Sequence, residues 1–286
     1  MGKAPTTQWF RGASPRAALL CAMVLAVAAP LGGAMPYADA FLADAAGRNR
    51  EGLTHLTFAP FGRVEQGWAV YEPLVAQEIG SRSDVGDPDF ADHLAAWQRA
   101  HGLRPTGVMD DATFALMKTV WQARRPFAAA SRRACPEPPP EASLAVVPAA
   151  DSYGGKIMLL RPAALAAYTR MLAAARAEMP ALRTDRRLMS LFSAYRSPDS
   201  DAARCVRDGN CQGIVRAACS SHRTGLTIDL YLGAAPGFPP DSSDDINRLY
   251  VSRGAAYRWM VGNAARFGFV PYAFEPWHWE WRGEPL

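Results

Sequence analysis

The stretch SSHRTGLTIDL, Ser220 to Leu230, sets His222 and Asp229 seven residues apart with Gly225 between them. On one uninterrupted strand, residues seven apart face opposite ways. A turn at Arg223–Gly225 removes that obstacle: His222 stands at its entrance, and Asp229 points from the strand that leaves it. Ile228 and Leu230 flank Asp229. A carboxylate in so apolar a strand is costly unless something cationic pairs with it. A buried arginine or a metal ion would serve, and this stretch alone does not choose between them.

A second stretch, EPWHWEW from Glu275 to Trp281, supplies what a metal reading lacks. Pro276 lies between Glu275 and His278 and argues against a helix interior. Glu275 then lies at a bend, and His278 on one face of the strand that follows. Trp277, Trp279 and Trp281 alternate against His278, Glu280 and Arg282, the period of a strand with two different faces. Two imidazoles and a carboxylate, His222, His278 and Asp229, suffice for catalytic Zn2+ with a fourth position left for water. Zinc lowers the pKa of that water to about 7. Attack by that water also needs a general base beside the metal but outside its ligand set. Glu275 is the candidate.

With the Tyr195-Arg196-Ser197 triplet upstream, these stretches resemble the VanY-type D-alanyl-D-alanine carboxypeptidases. Those are zinc peptidases of bacterial cell walls that share a fold with the hedgehog signalling domain. The family pattern, S-x-H-x-x-G-x-x-x-D followed by E-P-W-H, is met in order between about Asp151 and the C-terminus. The resemblance implies that His222, Asp229 and His278 bind zinc and that Glu275 is the catalytic base. It assigns Arg196 to the substrate, where a guanidinium can hold a carboxylate or neutralise a developing oxyanion. It also makes Ser220 a substrate contact. Trp277 is read as a wall of the site, and Trp279 and Trp281 as core. The alternative for Arg196 is an ion pair with a structural acid. The segment Asp201–Cys219 carries paired cysteines that are not part of the family pattern and would reshape the rim of the site. The implied reaction removes the terminal D-alanine from peptidoglycan stem peptides. An endopeptidase would use the same residues, and a non-catalytic wall-binding protein with structural zinc is a further alternative. A purely structural site, however, needs no base.

The elements that must carry these residues mix both periods. RPAALAAYTRMLAAARAEM reads as a helix ended by Pro180, and LMSLFSAYRS as a strand leading into a turn. LTIDLYLG is a nearly continuous apolar run and so a central strand, AAYRWMVGNAARFGF a helix closed by Gly268, and PWHWEWRG a last strand. The expected class is α+β, helices packed on a small antiparallel sheet, preceded by a small all-α bundle. In that bundle, Phe90, Leu94 and Trp97 mark one helix, with Asp87 or Asp89 able to cap it and Gly102 at its end. Phe114, Met117, Val120 and Trp121 mark another, capped by Asp110. Trp97–Gln98, Gly102–Leu103, Gly107, Asp110 and Thr113 resemble a peptidoglycan-binding domain. Its first helix, roughly Val64 to Ile79, fits poorly, and a bundle serving only as spacer is the alternative. The expected division is residues 1–40 signal peptide, 41–125 helical domain, 126–150 Pro/Ala-rich linker and 151–286 catalytic domain.

Lys3, Arg11 and Arg16 precede the apolar run Ala17–Ala34, and ADA at Ala38–Ala40 is one cleavage site, a secretory pattern. Pro30, Gly32 and Gly33 interrupt the run short of the ~20 residues of a spanning helix, so no stable membrane span is expected after cleavage. Export to the periplasm or cell envelope suits four remaining cysteines, Cys135, Cys205, Cys211 and Cys219, as two disulfides. Three connectivities are open. We favour a local Cys205–Cys211 loop with Cys135 tied to Cys219, although Cys219 also stands at a C-x-x-H zinc spacing. The formal charge of +4 comes with scattered arginines, so no nucleic-acid partner is suggested; peptidoglycan is the partner the two resemblances imply.

Overall fold

A computed structural model describes residues 36–207, 209, 211 and 218–286. The charged and apolar parts of the expected signal peptide lie outside the described residues. Helix α1 (Pro36–His55) opens the described chain and includes the Ala38–Ala40 site. Its periodicity is weak because the apolar positions it buries, Ala45 and Ala46, are small. What ties it down is Asn49, fully buried. The Asn49 amide donates to the Gly107 carbonyl at 2.7 Å, and its oxygen accepts from the Met109 N–H at 2.8 Å.

The hairpin β1 (Thr57–Phe58) and β2 (Glu65–Gln66) follows, then α2 (Glu72–Ile79). The helix expected over Val64–Ile79 therefore starts eight residues late. Gly67 is the reason. It has a left-handed φ of 73°, and a Cβ there would meet the Leu53 carbonyl oxygen at 2.1 Å. A side chain is excluded, and so is a helix through this point.

Helices α3 (Pro88–Ala100) and α4 (Asp111–Ala123) match their expected faces, with Phe90, Leu94, Trp97, Phe114, Met117 and Trp121 buried. Asp110 caps α4 by accepting from Thr113 N–H at 2.8 Å, whereas Asp87 precedes α3 without a side-chain cap bond. Gln98 is buried between them. Its amide donates to Thr113 Oγ1 and the Val108 carbonyl, and its oxygen accepts from Gly107 N–H. The motif residues are thus a single polar lock.

Glu78 is a second lock. Its carboxylate accepts from Trp97 Nε1, Trp121 Nε1 and both Nη atoms of Arg124, joining three helices. Burial alone would raise its pKa, but the Arg124 hydrogen bonds and charge outweigh burial and hold it below the ordinary carboxylate range. The native pKa is therefore below the unfolded one. Its stabilisation is complete above about pH 4.3 and is lost as pH falls through the native value. Glu78→Gln should lower the melting temperature at pH 7, and the gap from wild type should close on acidification.

After α5 (Pro126–Ala130) the chain forms a small hairpin, β3 (Ala145–Val146) with β4 (Leu159–Leu160), then α6 (Pro162–Glu178) and α7 (Ala181–Thr184). Strand β5 (Leu191–Ser193), α8 (Pro198–Arg207), β6 (Thr227–Leu230), α9 (Asp245–Arg253), α10 (Ala255–Asn263), β7 (Phe269–Pro271) and β8 (His278–Trp281) complete it. The sheet order is β5-β6-β8-β7, all antiparallel, so the apolar β6 is central and buried at every position. This is the expected α+β class. Residues 36–286 form one compact unit, and one apolar cluster holds Phe114 and Met117 together with Met171, Ile228 and Trp279.

Cys135 is bonded to Cys219 and Cys205 to Cys211, the favoured arrangement. Cys219 is thereby removed as a thiolate ligand. No helix among the described residues is long and apolar enough to cross a membrane.

Candidate metal centre

Pairing of the two central strands builds the site. Asp229 of β6 is the direct cross-strand partner of His278 of β8, so the two side chains rise from the same face. The Trp279–Ile228 pair beside them points to the opposite face and into the core. His222 arrives from a single 3₁₀ turn, Ser221–Thr224, that ends at Gly225. Gly225 has φ 69°, and a Cβ on it would press on Leu144 and Arg161 at 3.1 and 3.2 Å. The turn therefore folds back, as the spacing required, and delivers His222 to Asp229.

His222, Asp229 and His278 are all buried, and one donor atom from each lies within 4.8 Å of the others. His222 Nε2 is 3.1 Å from Asp229 Oδ2, and His278 Nδ1 is 2.9 Å from Asp229 Oδ1. His222 Nδ1 lies 2.6 Å from the Ala194 carbonyl, which can only accept. The proton is therefore on Nδ1, and Nε2 presents a lone pair. Burial, with the charge of Arg196, pushes the His222 pKa down to about 4, so the ring is neutral near pH 7. Burial would raise Asp229, but His222 and His278 outweigh it and hold the carboxylate far below its ordinary range. A lone pair and a carboxylate oxygen thus face each other at 3.1 Å, an arrangement a cation stabilises. Tetrahedral zinc with bonds of about 2.0–2.1 Å sets its donors about 3.3 Å apart. The residues present fit the metal.

Glu275 sits 3.6 Å from His278 Nδ1, in the turn where His278 N–H donates to the Glu275 carbonyl at 2.9 Å. Burial, reinforced by the charge of Asp229, pushes its carboxyl up to about 7. Trp277 is 2% exposed and lines the cavity, whereas Trp279 and Trp281 lie in the core.

The Arg196 guanidinium makes the ion pair considered for it and also borders the cavity. Nε pairs with the buried Asp201 at 2.8 Å, so the unfamiliar segment supplies a counter-ion. Nη1 donates to Ser193 Oγ and Nη2 to Ser220 Oγ, at the edge of the cavity. Ser220 Oγ also accepts from His222 N–H at 3.3 Å, linking the arginine to the metal-side turn.

Sequence reasoning missed four residues at this site. Ser221 Oγ lies 3.1 Å from His278 Nε2, and Glu280 Oε1 3.7 Å from the same atom. Arg125 pairs with Glu280 at 2.5 Å and lies over the Tyr272 ring at 4.0 Å. Glu280 was legible from the two-residue strand period, which puts it on the face of His278. Arg125 and Tyr272 carry no local signal. The cavity, about 270 Å³, is bounded by Arg125, Phe127, Arg196, Ser220, Tyr272 and Trp277 around the ligand set.

Residues 74–117 match the family model described as "Putative peptidoglycan binding domain". No curated protein matches the chain. Three of the solved structures similar to it each match about half of the chain. The LdcB LD-carboxypeptidase, in a structure concerned with peptidoglycan recognition, is 22% identical and matches 51% of this chain and 69% of its own, with TM-score 0.37. The vancomycin-resistance D,D-pentapeptidase VanY, in complex with Zn(II), is 19% identical over 53% and 85%, with TM-score 0.31. DacB from Streptococcus pneumoniae is 17% identical over 52% and 86%, also with TM-score 0.31. These scores are too low to carry a residue role across.

Proposed function

We propose that this chain is an exported zinc peptidase acting on the stem peptides of peptidoglycan, most simply a D-alanyl-D-alanine carboxypeptidase. The observation that carries the reading is the convergence of buried His222, Asp229 and His278 with the Glu275 carboxylate 3.6 Å from His278. A zinc ion held by the three would supply Lewis acidity toward a carbonyl and toward water. Glu275 would take the water's proton and pass it to the leaving amine. Arg196, with Ser220 beside it, would hold the substrate carboxylate, and Trp277 would form a wall. The match over residues 74–117 supports peptidoglycan as the partner of the helical part and the cell envelope as the location.

One observation favours an endopeptidase as a second reading. The cavity shares Arg196 and Asp229 with a larger groove lined by Tyr195, Met158 and Pro240. A substrate extending on both sides of the cut bond could lie there. Incubating the zinc-loaded protein with purified muropeptides and weighing the products separates the two. A carboxypeptidase removes one alanine from pentapeptides, an endopeptidase splits crosslinked dimers, and unchanged masses in both would overturn the proposal.

A further inference from the structure

Two buried guanidiniums connect the helical N-terminal part of the chain to the turn that carries Glu275 and His278. Arg248 on α9 is completely buried. Its Nε donates to the carbonyl of Phe274, the residue before Glu275, at 2.8 Å, and its guanidinium lies 4.2 Å over the Phe274 ring. The remaining donors run mainly the other way. Nη2 donates to the Tyr71 hydroxyl at 2.6 Å, and Nη1 to Glu65 Oε2 at 3.0 Å and Asp245 at 2.8 Å. The Tyr71 hydroxyl itself donates to Glu65 at 2.8 Å.

Arg125, between α4 and α5, makes the reciprocal connection. Its Nε and Nη2 donate to Glu280 Oε1 at 2.9 and 2.5 Å, and Phe127 N–H donates to the other Glu280 oxygen at 3.1 Å. Glu280 is 1% exposed and stands beside His278 Nε2, the nitrogen turned away from Asp229.

From these contacts we propose that the helical part is a positioning element of the metal centre, holding the Phe274–Glu280 stretch at both ends through Glu65–Arg248 and Arg125–Glu280. Each pair takes one partner from either side of the segment 126–150. Glu65 and Glu280 are both buried and take their shortest ion pair from across that segment, so removing the partner leaves a poorly compensated carboxylate in the interior. Groups at the second nitrogen of a metal-ligating histidine fix its ring and its basicity. A helical unit that served only to tether the protein would need no buried charges ending at the carbonyl before the base and at the carboxylate beside a ligand.

The inference rests on the zinc reading of the site, and zinc binding by the full chain tests the two separately. Wild type, Arg125→Met, Arg125→Lys and Glu65→Gln are checked for folding by circular dichroism at room temperature. Each is then titrated with zinc against a chromogenic chelator, and the Co(II) spectrum of each is recorded. Arg125→Met should weaken zinc binding about 10–100-fold and shift the Co(II) bands, with partial recovery in Arg125→Lys. Glu65→Gln should lower kcat about 10–100-fold at little change in KM, the signature of a displaced base. If Arg125→Met fails to fold, the lysine variant and Glu65→Gln carry the test. Wild-type zinc affinity and Co(II) spectra in the folded Arg125 variants, with kcat unchanged in Glu65→Gln, would overturn the inference and leave the zinc reading standing. A wild type that binds no zinc would overturn both.

Discussion

Replacing Glu275 with alanine or glutamine is expected to leave zinc binding nearly intact while hydrolysis of D-Ala-D-Ala peptides falls about 10²–10⁴-fold, the usual worth of a positioned general base. The split follows from where Glu275 stands. It lies outside the set formed by His222, Asp229 and His278, on a turn whose backbone bonds do not involve its carboxylate. Removing the carboxylate therefore removes a proton acceptor and not a ligand. The loss should appear in kcat more than in KM, because proton transfer belongs to the transition state. Zinc content by metal analysis and steady-state kinetics on the same preparation check the prediction. Retained activity in the alanine variant would assign the base elsewhere.

Replacing a ligand should do the opposite, with His222→Ala or Asp229→Asn abolishing zinc binding and activity together. Asp229 is central to this, because it faces His222 Nε2 through one oxygen and His278 Nδ1 through the other. Its amide analogue keeps the shape but loses the negative charge that neither imidazole can supply. A ligand that binds only the native state stabilises it by about 4 kcal/mol at a thousandfold excess over Kd. Wild type should therefore melt higher with added zinc and lower with a chelator, whereas the variants should show neither shift. A variant stabilised by zinc as strongly as wild type would exclude these residues as the metal site.

How much of this was legible beforehand depended on the range of the interaction that decides each feature. The faces of α3 and α4 follow from apolar residues at helical spacing, and β6 from an unbroken apolar run. Helix α1 escaped because alanines give little contrast between its faces, and α2 was placed too early because Gly67 meets Leu53, a contact local periodicity does not record. The convergence of His222, Asp229 and His278 was readable because a turn and a two-residue strand period determine which side chains can meet. Arg196 was only half readable. Its counter-ion Asp201 lies in the segment Asp201–Cys219, which matched no pattern.

The sequence by itself determined which residues can bind a metal and which can move a proton, since those are properties of residue type and short spacing. Only the tertiary structure decided that Asp229 and His278 are direct partners across two strands 49 residues apart, and that His222 presents Nε2. It alone brought Glu65 and Arg125 to Arg248 and Glu280, at separations of 183 and 155 residues. The physical reason is that a buried charge is tolerated only where the fold delivers its counter-ion, and no local pattern specifies a partner that far along the chain.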